Sequence, residues 1–427
     1  MGFGICSLSQ AQMGGGMPTV PGTEFFGATD PSSIQAGGGL RVVPSIHVSE
    51  RYDSNVYFAP KSLLQGLTPS DFVTTVAPQV RGLYADSQDL VRVNATVGAI
   101  GSYYVNNTGL SYVGTNAGVA VDMSNLLGRW RPGARWTVSD VYYYTPQPPA
   151  FLSGNQLGVQ ANPLAAGFQA FRTNTSSNSV NTVFQLPISQ HTHFVGTYTN
   201  SFIRYGASRV PLASPLIGQN VQVYTAGLLV ETSIRDSVRV DFIGNDFDLG
   251  ARGAFSARGG TLDWTHRFSP TAGFSATAGA QVLSGELNGV RLSSLIAPFG
   301  SLAITWFTPT TSMTLTYRSS IIPSFQFEGA TMLAHQMTFS LTQETPISDL
   351  VGLLQANGGV ADQYRSNSGN TLSWTTVGGS AGLLYRATQQ TFLTLLYTYQ
   401  NVDNVFGATH FAYDRHSAQL SLTQAFY

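Results

Sequence analysis

The sequence has little charge, a single lysine and a single cysteine. Charged residues make up 10% of its 427 residues, against about 25% in ordinary globular domains. With a net charge of −1, the chain lacks the basic surface typical of nucleic-acid binding proteins. Cys6 has no second cysteine with which to form an internal disulfide. Aromatic residues at 11% also argue against intrinsic disorder, which combines high charge with few aromatic side chains.

The chain also lacks the run of about 18 apolar residues that marks a transmembrane helix. A transmembrane strand, however, needs only about ten residues of alternating character. This alternation is clearest in the stretch 236–243, where Val238, Val240 and Phe242 alternate with Ser237, Arg239 and Asp241. A strand places these two sets on opposite faces, whereas a helix would scatter both.

The same period of two recurs along nearly the whole chain and predicts about 18 strands, with 16 fitting almost as well. Connections after even-numbered strands are short, as in 269–271, and those after odd-numbered strands tend to be longer. A soluble β-sandwich would also alternate, but its outward rows commonly carry Lys and Glu. We therefore predict an all-β fold, a transmembrane antiparallel up-and-down β-barrel in a bacterial outer membrane, with both termini at the periplasmic, short-turn end.

Three segments are expected along the chain. Residues 1–12 resemble the end of a secretory signal, and 13–39 form a periplasmic leader rich in Gly and Pro. Residues 40–427 form the barrel. A lipid-modified Cys6 is an alternative reading of the first segment, although Ile5 is a poor match to the small residue that such a site requires.

The opening of the predicted barrel has a recognisable motif. Residues 44–56, PSIHVSERYDSNV, contain a Tyr-x-x-Asn-Val step and are followed after a loop by an Asp-initiated strand with Pro78 in it, DFVTTVAPQV. This pair resembles the first hairpin of a family of outer-membrane β-barrel porins that includes barrels associated with exopolysaccharide export and surface sorting. The resemblance implies a channel and brings no catalytic residues with it. The last strand, 420–427, is similar to the signal through which the barrel assembly machinery recognises its clients.

If the apolar rows face lipid, charged side chains enter the lumen. These are Arg41, Arg92, Asp122, Arg135, Arg239, Asp241, Asp263 and Arg318. Arginine forks suit carboxylate, phosphate and sugar oxygens, and rings of arginine bias a pore toward anions. The hypothesis is a porin-like channel for anionic or saccharide solutes, or for polysaccharide export. The alternative for each residue is that Arg and Asp pair and merely hold the wall.

Two other functions stay open at this point, and so does self-association of the barrel. The segment 145–175 is expected either to constrict the lumen or to form an external loop. Outward loops would serve a structural or adhesive barrel without an open pore.

A membrane-embedded hydrolase is the remote alternative, because His416 and Ser417 point to opposite faces of a strand and no nucleophile motif is present. His191 and His193 share one face, but two ligands do not make a metal site. No enzyme activity, cofactor or metal is predicted.

Overall fold

The computed structural model describes residues 39–64, 66–145, 173–208, 218–250, 253–287, 290–323, 331–364, 372–406 and 409–426. The expected signal-like segment and nearly all of the expected leader lie outside these ranges, as does 146–172. Within the described part of the chain, no helix is both long enough and apolar enough to cross a membrane.

The described residues form 18 strands in one sheet. Their lengths range from 11 to 18 residues, well above the usual mode of about five or six. In chain order, the strands are β1 Gly39–Asp53, β2 Asp71–Ala85, β3 Arg92–Tyr104, β4 Tyr112–Asp122, β5 Arg135–Thr145, β6 Thr173–Pro187, β7 Thr192–Ser208, β8 Gln219–Glu231, β9 Asp236–Asp248, β10 Gly253–Ser269, β11 Ala272–Leu287, β12 Val290–Phe307, β13 Thr311–Pro323, β14 Thr331–Glu344, β15 Leu350–Tyr364, β16 Leu372–Arg386, β17 Thr391–Phe406 and β18 Thr409–Ala425.

Each strand pairs antiparallel with its sequence neighbours, and β18 pairs with β1 to close the sheet. The closing seam runs from the pair Ser45 and Ala425 to the pair Asp53 and Ser417. The prediction of a closed antiparallel barrel of 18 strands is confirmed, and the alternative of 16 is wrong. Closure gives every strand a partner on each side, and a closed sheet is the form that a sheet takes in lipid.

The two faces of the sheet differ in chemistry. On β1, Leu40, Val42 and Val48 are exposed on the outward face, whereas His47 and Ser49 are buried on the inward face. Cross-strand partners share a face, so the registers of the other strands extend this assignment around the barrel. The outer wall is therefore mainly apolar, and the inner wall is rich in hydroxyl, amide and arginine side chains.

Aromatic side chains on the outward face gather near the strand ends. Trp136 and Trp306 lie near the short turns, and Tyr52, Phe72 and Tyr103 lie near the other end, all of them more than one-third exposed. The tyrosine pairs in the sequence are divided by the alternation, because Tyr104 is buried on the inward face while Tyr103 points outward. Bands of this kind are typical of barrels at the two membrane interfaces.

The turn between β2 and β3 is organised by the carboxylate of Asp86. Its Oδ1 accepts hydrogen bonds from the backbone N–H groups of Val91 at 2.9 Å and Leu90 at 2.5 Å, and its Oδ2 accepts one from Gln88 at 3.3 Å. These hydrogen bonds hold the pKa of Asp86 below its usual range, and the bond from the Val91 N–H has the largest effect. The ionised carboxylate therefore stabilises the folded turn.

Replacing Asp86 with alanine is expected to lower the melting temperature at neutral pH and to have little effect in acid. A carboxylate whose pKa is depressed by folding contributes stability above its unfolded pKa of about 4, and this contribution is lost as the pH falls through the folded pKa. Melting curves of Asp86→Ala and the parent protein from pH 7 to pH 3 measure the difference. A gap between the two proteins that stays constant across this range would contradict the assignment.

Candidate functional site

The inner wall of the barrel is the candidate functional site. The registers place all eight charged residues named from the sequence on the inward face: Arg41 on β1, Arg92 on β3, Asp122 on β4, Arg135 on β5, Arg239 and Asp241 on β9, Asp263 on β10 and Arg318 on β13. They are spread around the circumference, with two groupings: Arg92 and Asp122 are direct register partners on β3 and β4, and the three on β9 and β10 form a second group.

Further arginines share this face and were not singled out from the sequence. Arg51, Arg81, Arg267 and Arg415 have inward-facing register partners. The alternation of faces along a strand would have identified these arginines, because each lies an even number of residues from an inward-facing position on its own strand. The arginines of the strands thus concentrate on the inner wall. Arg204 and Arg258 are the exceptions among those whose side chains are described.

Many of the acidic residues lie on the other side of the wall. The outward-facing acids are Glu50, Asp140, Asp236, Asp246, Asp248, Glu286, Asp362, Asp403 and Asp414. Those facing inward on the strands are Asp53, Asp71, Asp122, Glu231, Asp241, Asp263 and Glu344. The segregation gives the lumen an excess of positive charge although the whole chain has a net charge of −1.

Two acids and one arginine meet on β9 and β10. Arg239 Nε lies 2.6 Å from Asp241 Oδ2, and Arg239 Nη2 donates to Thr225 Oγ1 at 3.3 Å. Asp263 accepts a short hydrogen bond from Thr277. Gly227 on β8 leaves room for this group, since a Cβ there would collide with Asp241 and the backbone of Val240. Arg239 and Asp241 match the wall-holding alternative as an ion pair, whereas Asp263 is a second acid that accepts hydrogen bonds from the hydroxyls of Thr261 and Thr277.

Arg318 is different. Its register partners on the inner wall are Ser301 on β12 and Gln336 on β14, both uncharged. Among the described residues, its guanidinium makes no hydrogen bond and no ion pair. It lies in the middle of β13, well away from both ends of the barrel. Its five donors are therefore available to a solute.

A buried ion pair anchors the connection between β1 and β2, residues 54–70, here called the first loop. Asp53 is fully buried and accepts from Arg415 Nε at 3.0 Å and Nη2 at 2.6 Å. Arg51 Nη2 lies 3.6 Å from the same carboxylate. The ring of Phe58 in the first loop lies 4.5 Å from the Arg415 guanidinium carbon, a cation–π contact. The anchor therefore joins the barrel seam to the loop.

The first loop lies against the inner wall. Val56, Tyr57, Ala59 and Leu64 of the loop pack on the inward residues Val73, Tyr104 and Tyr112 and on Leu110. The Tyr57 hydroxyl donates to Asn107 Oδ1 at 2.7 Å. The sequence predicts a long polar connection over 51–70. In the structure β1 extends to Asp53, and the connection contains buried apolar residues that no period-two pattern distinguishes from an ordinary loop.

The first loop thus packs on the lumenal side of the wall, at the end of the barrel that carries the longer loops. The predicted constriction, 145–175, lies outside the described residues except at its two ends and stays a prediction. The described part of the inner wall has polar side chains and arginine donors. Such an arrangement can bind and orient an anion.

The histidines form no reactive or metal-binding centre in the described part of the chain. His416 points outward and its Nδ1 lies 2.8 Å from Tyr397 Oη, whereas Ser417 points inward, as the alternation predicts. His191 and His193 lie near Glu231 at 3.9 and 4.0 Å. No three His, Cys, Asp or Glu side chains among the described residues are placed to hold a metal ion.

Comparison with known proteins gives likeness in structure only. No protein-family model matches the chain, and no curated protein matches it. Among solved structures, OccAB2 of Acinetobacter baumannii has a TM-score of 0.47 at 10% identity, covering 91% of this chain and 98% of that one. The outer membrane protein OpdK of Pseudomonas aeruginosa with vanillate has a TM-score of 0.47 at 9% identity, covering 90% of this chain and 99% of that one. OccK2 of the same organism with glucuronate has a TM-score of 0.47 at 10% identity, covering 92% of this chain and 100% of that one.

Proposed function

We propose that the chain is a bacterial outer-membrane channel whose lumen favours small anionic solutes. The observation that carries the proposal is the segregation of charge, with arginines on the inner wall and many acids on the outer one. A pore lined by arginine attracts anions and repels cations. Barrels of about 16 to 18 strands leave an aqueous channel unless something fills them.

The placement in a membrane rests on the outer wall. Leu40, Val97 and Val113 are more than half exposed there, which is costly in water and favourable in lipid. The aromatic bands and the short turns on one side match the outer-membrane class of barrel, with both termini on the periplasmic side. Lipid and the barrel assembly machinery are then the expected partners. Nothing in the described residues favours polysaccharide export over small solutes.

The inner wall also favours a channel over an enzyme. Its charged residues are either paired, as Arg239 is with Asp241, or isolated among uncharged neighbours, as Arg318 is. General acid–base catalysis needs a base within hydrogen-bond reach of the group it activates and an orienting partner behind it. The wall instead offers fixed donors, which bind and release a solute without chemistry.

The test is the conductance of the purified full chain in a planar bilayer under a salt gradient. We expect stable single channels with a reversal potential on the anion side, and faster liposome swelling with a sugar acid than with the neutral sugar of the same size. A protein that inserts and folds but conducts no ions would overturn the channel and leave a structural barrel. Conductance with cation preference would overturn only the selectivity.

A further inference from the structure

The outer wall has an apolar groove that crosses β14 to β18 on the short-turn side of the barrel. Small residues form its floor, with Gly352 on β15, Ala381 on β16 and Ala418 on β18 all facing outward. Leucines and the ring of Tyr397 form its sides. Gln343 and Tyr397 carry the only polar side-chain atoms among the lining residues, and none of these residues is charged. The groove therefore suits an apolar ligand.

The groove rises from the short turns toward the middle of the barrel. Leu341 lies three residues before Glu344, the last residue of β14. Its register row runs through β15, β16 and β17 to Ala418, seven residues before Ala425, the last residue of β18. Four residues of a strand tilted by about 40° correspond to a rise of about 10 Å. The groove thus fits within one leaflet, which contributes about 15 Å to the hydrocarbon core.

The depth and the lining of the groove determine what can fill it. Between lipid and an apolar wall there is no hydrophobic driving force, so close packing decides what binds. The groove has a volume of about 490 Å³, within the range of about 300–1,000 Å³ that is typical of ligand pockets. Lipid chains that passed over the groove without entering it would lose dispersion contacts with its floor. An acyl chain of the adjacent leaflet fills it without bringing a polar group into the hydrocarbon.

We propose that this groove binds one acyl chain of a phospholipid from the periplasmic leaflet. The inference rests on the membrane placement proposed above, in which the short turns are periplasmic. The chain enters beside Gln343, crosses the outward faces of β15 and β16, and ends against the ring of Tyr397. The Tyr397 hydroxyl lies 2.8 Å from Nδ1 of His416, which holds the ring in place as the upper end of the groove. Because no lining residue is charged, the chain rather than the headgroup is recognised.

Filling the groove with a side chain tests the proposal. Ala381→Leu occupies the middle of the floor, five residues before Arg386 at the end of β16. Ala278→Leu is the matched control, because it is also exposed and outward and lies six residues after Ala272 at the start of β11. The full chain is extracted from native membranes in mild detergent and analysed by native mass spectrometry. We expect the parent protein and the control to retain a phospholipid, and Ala381→Leu to retain about tenfold less.

Gly352→Leu is a second variant that should lose the phospholipid. A Cβ at Gly352 would meet only the carbonyl oxygen of Gln343, at 3.8 Å, so the wall accommodates the substitution. Heat-dependent migration on gels confirms that each variant is folded. Equal retention in all variants, no phospholipid on the folded parent protein, or lipopolysaccharide in its place would overturn the site alone. A parent dimer that Ala381→Leu dissociates would assign the groove to a second copy instead. A folded protein absent from the membrane fraction would overturn the membrane placement as well.

Discussion

Replacing Asp53 with alanine is expected to lower the free energy of unfolding by about 3–5 kcal/mol, the usual result of breaking a buried ion pair from one side. Asp53 has no solvent exposure, and its carboxylate contacts the guanidinium groups of both Arg415 and Arg51. Its removal takes away the buried carboxylate that both guanidinium groups face. Chemical denaturation of the barrel in detergent measures the loss.

The same substitution should raise the single-channel conductance. Asp53 also accepts a hydrogen bond at 3.1 Å from the backbone N–H of Asn55, the second residue of the first loop. Without this anchor, Phe58 loses its ordered partner and the loop leaves the inner wall more often. We expect larger and noisier current steps than in the parent protein. Glu50→Ala, on the same strand but facing outward, is the matched control and should change neither quantity appreciably.

A double substitution separates stability from constriction. With Asp53→Leu and Arg415→Leu together, the close pair is removed from both sides and only Arg51, 3.6 Å from the original carboxylate, loses its partner, so part of the lost stability should return. The first loop still lacks its ion-pair anchor, and the conductance should stay high. If Asp53→Ala matched the parent protein in both stability and conductance, the first loop would not be held by this pair.

Alternation predicted the barrel well because the period of two is imposed by strand geometry and each face meets a single solvent. The stretch 236–243 shows this directly, since Arg239 and Asp241 are buried inward while Val240 and Phe242 are exposed outward. Even the segments 178–188 and 349–363, which carry the weakest alternation, are strands. The period-two pattern is therefore enough to predict a strand wherever each face of the sheet meets the same environment along its length.

The period-two pattern could not predict contacts between segments that are far apart in the sequence. Asp53 and Arg415 are 362 positions apart, and their meeting depends on where β18 closes against β1. The buried residues of the first loop depend on the same closure. The helix Ser124–Gly128 within the connection after β4 has no amphipathic stripe that would have marked it.

Reversing the charge of Arg318 is expected to have the largest effect on ion selectivity. An anion about 4 Å from a guanidinium gains about 1 kcal/mol in water, and a carboxylate there costs it the same. Arg318→Glu therefore changes the local free energy of an anion by about 2 kcal/mol, or about thirtyfold in its occupancy. The reversal potential in a salt gradient should move toward the cation side. The shift should be larger at low salt, since screening acts over about 10 Å at 0.1 M.

Arg258 provides a matched control for this experiment. Arg258 also lies within a strand, β10, but its side chain points outward and its Nη2 lies 3.4 Å from Asp246 Oδ1. Arg258→Glu makes the same change in net charge as Arg318→Glu without placing an acid in the lumen. If both variants shifted the reversal potential equally, total charge rather than the inner wall would set the selectivity. A shift confined to Arg318→Glu would place the path of the anion along the inward face of β13.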